Sequence, residues 1–349
     1  MLPLLALFLP YWAVTLIKVV AILAIIPGGA LVLVYVYLFK MVSHLQSRLG
    51  PMEAGPHGVL QPIAEGIKFL QKEDIFPERA DRLVFGAAPL VVLISTFLIY
   101  VVIPAGPTAI IEDLDTGIFF ALAVSSLSVI GILMAGWASA NKYSLMGGLR
   151  AAGQLIAYEL PLFLAVVGVV MQAGSLSLQR IVISQSHFKF FGLNTRGVPF
   201  VVPQFVGFLI FLIASQAELT QTPFDMPVAE SELVAGYMTE YSGFRFLFFF
   251  IGEFATAFAL AALGATLFLG GWYVPGLYHF VHATWLMDVF GAGILFAKLM
   301  VLAFVIFWVR FTFPRFREDQ LQAFAWKVLI PLSLANILVT GVAKVAVHG

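Results

Sequence analysis

Runs of about 20 apolar residues recur along nearly the whole of this chain, and each is long enough to cross the ~30 Å hydrocarbon core of a bilayer as a helix. Eight can be placed, at 12–40, 84–104, 117–138, 152–173, 200–217, 246–270, 287–311 and 325–346. Only helices and closed barrels satisfy their backbone polar groups inside lipid. Continuous apolar runs of this length, without period-two alternation, belong to helices. The chain therefore reads as an all-α membrane protein of about eight transmembrane helices, a single polytopic domain over 1–349. Its charged content of 11% and mean hydropathy of +0.99 agree; soluble domains carry roughly 25% charged residues.

The connections carry the orientation. Cytoplasmic loops hold an excess of Lys and Arg. The odd-numbered loops and flanks contain Lys40, Arg48, Lys68, Lys72, Arg79, Arg82, Lys142, Arg150, Arg245, Arg310, Arg315, Arg317 and Lys327. The even ones and the tails contain Arg180, Lys189, Arg196 and Lys344. Thirteen against four places the loops at about 43–83, 139–151, 218–245 and 312–324 in the cytoplasm, with both termini on the opposite side. Met1–Pro10 lacks a basic n-region and runs into the first span, so it is not read as a cleaved signal. Pro27-Gly28-Gly29 interrupts the first span and suggests a break or bend there.

In the first loop, Leu60, Ile63, Ile67 and Leu70 are spaced by 3, 4 and 3 residues, which puts them on one helical face. Gln61, Glu65, Lys68 and Lys72 lie largely off it. Val59–Lys72 is thus an amphipathic helix, resting either on the membrane surface or on a partner.

Several functions are excluded. The net charge is zero, so no basic field argues for nucleic acid. With no cysteine there is neither a disulfide nor an iron–sulfur cluster ligated by this chain. The histidines (His44, His57, His187, His279, His282 and His348) form no facing pair on two apolar helices. The expectation is a chain with no redox centre and no bound cofactor of its own.

Charges inside a span cost about 2.5–3.5 kcal/mol on insertion scales and mark function more often than not. Glu159, Glu253, Lys298 and, at a span's end, Glu218 stand out. Glu159 follows a polar stripe of Arg150, Gln154 and Tyr158. Glu253 shares a face with Thr256, Ala257, Ala261 and Gly264, whose small side chains admit a close neighbouring helix. A buried carboxyl can be tuned to hold or release a proton near neutral pH. The three acids therefore read as a proton relay; the competing reading makes each an interhelical hydrogen bond or ion pair. Lys18 and Lys298 are either snorkelling or paired, with Lys298 also open to relay membership.

The loop AELTQTPFDMPVAESELVAGYMTEYSG (217–243) holds Glu218, Asp225, Glu230, Glu232 and Glu240 with no basic residue before Arg245. Pro223 and Pro227 stiffen it, and Phe224, Tyr237 and Tyr241 are interleaved. That mixture suits a loop docked on a partner surface better than a solvated one.

Three segments are specific enough to name a family. GPMEAGPHGVLQPIAEGIKFLQKED (50–74) resembles the first cytoplasmic loop of the H-subunit family of respiratory complex I, with its GPN-x-x-GP-x-G-x-LQP-x-AD-x-x-K pattern. GWASANKYSLMGGLRAAGQLIAYE (136–159) and TPFDMPVAESELVAGYMTEYSG (222–243) resemble the second and third loops, and FLGGW (268–272) a further landmark. The resemblance covers essentially the whole chain, in order.

It implies a membrane subunit of proton-translocating NADH:quinone oxidoreductase in a bacterial inner membrane. Such a subunit anchors the peripheral redox arm and, with two peripheral subunits, encloses a quinone chamber. Quinone is then the substrate; NADH, FMN and iron–sulfur clusters belong to partner subunits. The other partners implied are small membrane subunits and lipid. By position Glu159, Glu218 and Glu253 match the family's buried acids. Asp225, Glu230, Glu232 and Glu240 match its acidic loop, and Arg48, Phe224 and Arg245 join them as chamber or coupling-loop positions.

Four departures remove charge or polarity. The family's Glu-Arg-Lys at the end of the first helix reads Leu38, Phe39, Lys40; its Asn-Arg before Pro-Phe-Asp reads Thr220-Gln221. A glutamate is replaced by Val228, and the GPN asparagine by Met52. The alternatives left open are a divergent paralogue, a homologous subunit of a membrane-bound hydrogenase or of a ferredoxin- or F420-linked complex, and a stand-alone ion transporter. The absence of an evident repeat and the long docking loops weigh against the transporter.

Overall fold

The computed structural model describes residues 10–187, 197–274 and 284–348. These are helices and turns, with no β-strand among the described residues. The helices are α1 (Tyr11–Leu33), α2 (Gln61–Gln71), α3 (Arg82–Ile99), α4 (Gly117–Ala138), α5 (Lys142–Ala173), α6 (Leu178–His187), α7 (Phe205–Glu218), α8 (Glu230–Leu233), α9 (Gly243–Phe268), α10 (Thr284–Thr312), α11 (Glu318–Phe324) and α12 (Ile330–His348). Among the described residues, seven helical stretches are long and apolar enough to cross a membrane, so this is a multi-pass membrane protein. The fifth apolar run, expected at 200–217, folds as the 14-residue α7. At ~1.5 Å per residue that is about 21 Å, short of the hydrocarbon core.

Three boundaries differ from the sequence reading. The first helix does not break at Pro27: α1 is continuous through it. Proline's fixed φ is itself helical, and a broken backbone in lipid would need partners that an intact helix does not. Gly29 instead gives room to a neighbour, since a Cβ there would lie 3.1 Å from the Phe258 ring. The irregularity comes later, as a π-helical stretch over Val34–Met41. α5 begins at Lys142, so most of the stretch expected as loop 139–151 is helical. Asn141 caps it, accepting from the Tyr143 amide at 2.8 Å. Finally, α11 joins α12 through a second π-helical stretch, Ala325–Leu329.

The core is built around α9, which packs against α1, α3, α7 and α10. Its run of Ala255, Ala257, Ala259, Ala261 and Ala262 is buried. Small side chains let backbones approach, which is how helices associate where lipid removes the hydrophobic drive. The small face expected around Gly264 does this: a Cβ there would lie 2.8 Å from the Phe211 ring of α7. Around the rim, Leu16, Val20 and Leu23 of α1 and Leu338, Val342 and Val345 of α12 are exposed, as lipid-facing residues must be. α2 is the expected amphipathic helix. Phe69 stacks on Phe246 at 5.5 Å, while Leu60, Ile63, Ile67 and Leu70 face outward.

The odd loops meet at one end of the bundle. Arg245 pairs with Asp74 at 2.8 Å, Arg150 with Glu232 at 2.6 Å and Glu318 at 3.4 Å, and Arg315 with Asp225 at 3.0 Å. At the opposite end Arg180 pairs with Asp115 at 2.6 Å, and Asp288 accepts from the Thr108 amide at 2.8 Å. Of the residues discussed above, Met1–Leu9, Lys189, Arg196, His279 and His282 lie outside the described residues, as do the side chains of Glu230 and His348.

Candidate functional site

Two polar cavities adjoin where α7 ends against α9. The inner one, about 50 Å³, lies between α3, α4, α7 and α9. Ser95, Thr96, Ser125, Ser128, Thr256 and the carboxyls of Glu218 and Glu253 line it. Thr96 of α3 and Thr256 of α9 bridge their helices, meeting at 2.9 Å, while Ser95, Ser125 and Ser128 donate to carbonyls of their own helices. That volume has room for a few waters, and its polar walls offer the partners water needs. The outer cavity, about 250 Å³, is lined by Thr220, Gln221, Thr222, Asp225, Val228, Tyr237, Met238, Glu253, Arg310 and Arg315. Glu253, Tyr237 and Thr220 line both cavities.

Each charge in this region has a physical setting. Glu253 Oε1 accepts from Arg310 at 3.0 Å and from Gln221 Nε2 at 2.9 Å. Glu218 is buried at the end of α7, and its Oε2 has no partner among the described residues. Glu159, half-buried on α5, sits beside Ser126 of α4 and close enough to Glu218 for their charges to interact; it lines neither cavity. Burial pushes the Asp225 carboxyl above the usual aspartate range, with the Arg315 guanidinium partly opposing it. Burial, and then the charges of Glu253 and Asp225, push the Tyr237 phenol well above its ordinary value, so it stays protonated.

The polar stripe before Glu159 turns out to be scaffolding. Gln154 Nε2 donates to the carbonyls of Ala217 and Phe224, at 2.8 and 2.7 Å. The Tyr158 hydroxyl donates to the Leu321 carbonyl at 2.9 Å. Together with Arg150 they pin the end of α7, the third loop and α11 onto α5. Six buried side-chain atoms lack a hydrogen-bond partner among the described residues, and five belong to this region: Gln154 Oε1, Ser215 Oγ, Gln216 Oε1, Glu218 Oε2 and Gln221 Oε1. Buried polar atoms are rarely left unpaired, so a cluster of them marks a hydrated or functional place.

The remaining sequence candidates are distributed elsewhere. Phe224 is buried between Tyr158 and Phe316, at 5.2 and 5.5 Å. Glu240 accepts from Asn141 Nδ2 and lines a separate groove with Arg79 and Lys142. Arg245 lies 3.7 Å over the Phe76 ring. Arg48 is exposed and bonded to Gln46 at 2.9 Å, lining neither cavity. Lys298 donates to the carbonyls of Leu269, Gly271 and Tyr273 at 2.7–2.8 Å. All three of its N–H donors are thus taken by backbone, where the FLGGW segment turns. Lys18 pairs with Glu112 at 3.8 Å. Among the described residues no group of three or more His, Asp or Glu is placed to hold a metal ion.

Sequence reasoning missed Arg310 as a site residue, counting it only as a flanking charge. It also passed over the serine and threonine lining. Arg310 is 57 residues from the carboxylate it serves, and no local spacing joins them. The one available signal was an arginine set just inside the end of a span.

A family model described as NADH dehydrogenase matches residues 17–341. Over 344 residues the chain is 43% identical to the H subunit of NADH-quinone oxidoreductase from Brevibacillus brevis, covering 95% of each chain. It is 45% identical to the corresponding H subunit of Dehalococcoides mccartyi over 93% of this chain and 86% of that one. With the H subunit of Geobacillus kaustophilus it shares 44% identity, covering 90% of this chain and 92% of that one.

Proposed function

Because this chain belongs to the NADH dehydrogenase family that includes the H subunits of NADH-quinone oxidoreductase, we propose that it is the membrane component that helps enclose the quinone chamber of a proton-translocating complex I. In this reading it supplies a buried-carboxylate path from that chamber toward proton-pumping partners. It holds no redox centre; electrons from NADH reach quinone through cofactors of peripheral subunits docked on the end where the odd loops meet. That end faces the cytoplasm by its basic excess, and small membrane subunits and lipid cover the exposed apolar faces.

One observation carries the path. Glu253 stands where the two polar cavities join, with Glu218 lining the inner one and Asp225, Arg310 and Arg315 the outer one. A carboxylate held by an arginine on one side and open to a small polar cavity on the other can exchange a proton with water without crossing lipid-facing surface. Glu218 and then Glu159 continue the acids into the bundle. Tyr237, kept neutral, adds a hydroxyl that can both donate and accept at the junction.

Glu253→Gln and Glu218→Gln, each in the assembled complex in proteoliposomes, test this. The amide keeps the shape but cannot ionise. NADH-driven proton translocation should fall on the order of 100-fold, as expected for a lost proton-transfer group, with the complex intact by size and subunit content. Full turnover and full pumping in both variants would refute the path.

A further inference from the structure

Gln221 lies against Glu253 in an arrangement that dictates its chemistry. An ionised carboxylate only accepts hydrogen bonds, so the Gln221 amide must turn its NH2 toward Glu253 Oε1, at 2.9 Å. Its carbonyl oxygen then points away. That oxygen is buried and has no partner among the described residues. Gln221 also lines the outer cavity, which is roomy and polar, and a site of that kind holds water. The backbone is shaped for this placement. Thr220 has φ +51, a left-handed conformation that is unusual for a β-branched residue and persists where surroundings enforce it. It reverses the chain after α7 and brings the next side chain back onto α9. Charge explains why an amide suffices. Of the described groups lining the outer cavity, Asp225 and Glu253 are balanced by Arg310 and Arg315.

We infer that Gln221 is a positioning residue for the carboxylate path: its NH2 fixes one oxygen of Glu253, so that the carboxylate keeps a set orientation where the two cavities meet. The inference rests on the path proposed above. No proton is carried by the amide itself; water in the cavities delivers or receives it, and Gln221 sets how the Glu253 carboxylate stands toward that water.

The test uses the assembled complex in proteoliposomes, reading quinone reduction and proton pumping across a pH series. Gln221→Met keeps the length but removes both polar functions; pumping should fall at least several-fold with assembly intact. Added to Glu253→Gln, it should cost little more, because its effect runs through that carboxylate. Gln221→Glu is nearly isosteric. Protonated, it can still donate to Glu253; ionised, it repels Glu253. Its activity should approach wild type at acid pH and fall below it as pH rises. Unchanged pumping in Gln221→Met, an undiminished further loss in the Glu253→Gln background, or a wild-type pH profile in Gln221→Glu would overturn the inference. Should Gln221→Met fail to assemble, the Gln221→Glu profile decides alone. Full activity in Glu253→Gln would instead remove the path on which the inference stands.

Discussion

Glu159 is the acid that both cavities leave out, yet it is near enough to Glu218 for their charges to interact. If it passes a proton onward, Glu159→Gln should lower pumping by on the order of 100-fold while the complex assembles normally. A purely structural Glu159 would leave coupled turnover near normal and lower only thermal stability. Asp225 makes a different prediction, about pH. Its carboxyl titrates above the usual aspartate range because it is buried. The folded state therefore holds that proton to higher pH than the unfolded chain does, and the contribution runs one way: stability is lost as pH rises from the ordinary aspartate range through the raised one. Asp225→Asn should remove that slope, so thermal-unfolding curves for wild type and variant, taken across mildly acidic to neutral pH, should converge at the acid end and part as pH rises. Parallel curves would count against it. The acids themselves were legible, since a carboxylate in an apolar run advertises its cost. Their partners were not. Arg310 and Gln221 lie 57 and 32 residues from Glu253, and only the fold brings them together.

At the scale of elements, the junction is set by a glycine contact. Gly147 of α5 faces Gly236, and a Cβ on Gly147 would lie 2.7 Å from the Gly236 Cα and the Tyr237 nitrogen. Gly236 itself has φ +54 and is pressed against the Pro227 carbonyl, with no room for a side chain. This wedge seats Tyr237 at the meeting of the two cavities. Gly147→Val should push that loop off α5, costing about 1–3 kcal/mol as overpacking does and reducing pumping through a displaced Tyr237. The same substitution at Gly66 of α2, where nothing lies within 4 Å, should leave pumping unchanged; thermal unfolding and pumping on the two variants check both. Helix identity was readable from apolar length, and α4 folds over the very residues 117–138 that the sequence marks. Helix ends were harder. Lys142–Arg150 opens α5 with two glycines, poor helix formers, and what holds it is a cap and packing on Gly236 that no local pattern reveals. The π-helical stretch at 34–41 is equally silent in sequence, while Pro27, the loudest breaker signal, is absorbed.

For the molecule as a whole, the two ends of the bundle differ in kind. At one, loops distant in sequence are tied by charged groups: Asp74 to Arg245, Glu232 and Glu318 to Arg150, Asp225 to Arg315. The alternation of the eight apolar runs assigns thirteen of the seventeen flanking basic residues to that end. The other end holds Arg180, Lys344, Asp115 and Asp288. Basic residues resist transfer across the membrane during insertion, so the heavily basic end should remain on the cytoplasmic side. The chain has no native cysteine, which makes the test clean. Single cysteines beside Arg79 and Arg317, on the basic end, should resist an impermeant thiol reagent in intact cells and react once the cells are opened. A cysteine beside Asp115, at the opposite end, should react in intact cells. Labelling in the reverse pattern would invert the molecule in the membrane, and with it the side on which a peripheral redox arm could dock. The carboxylates would then lie toward the wrong face for a path that starts at a cytoplasmic quinone chamber, so this measurement bears on the proposed function as much as on topology.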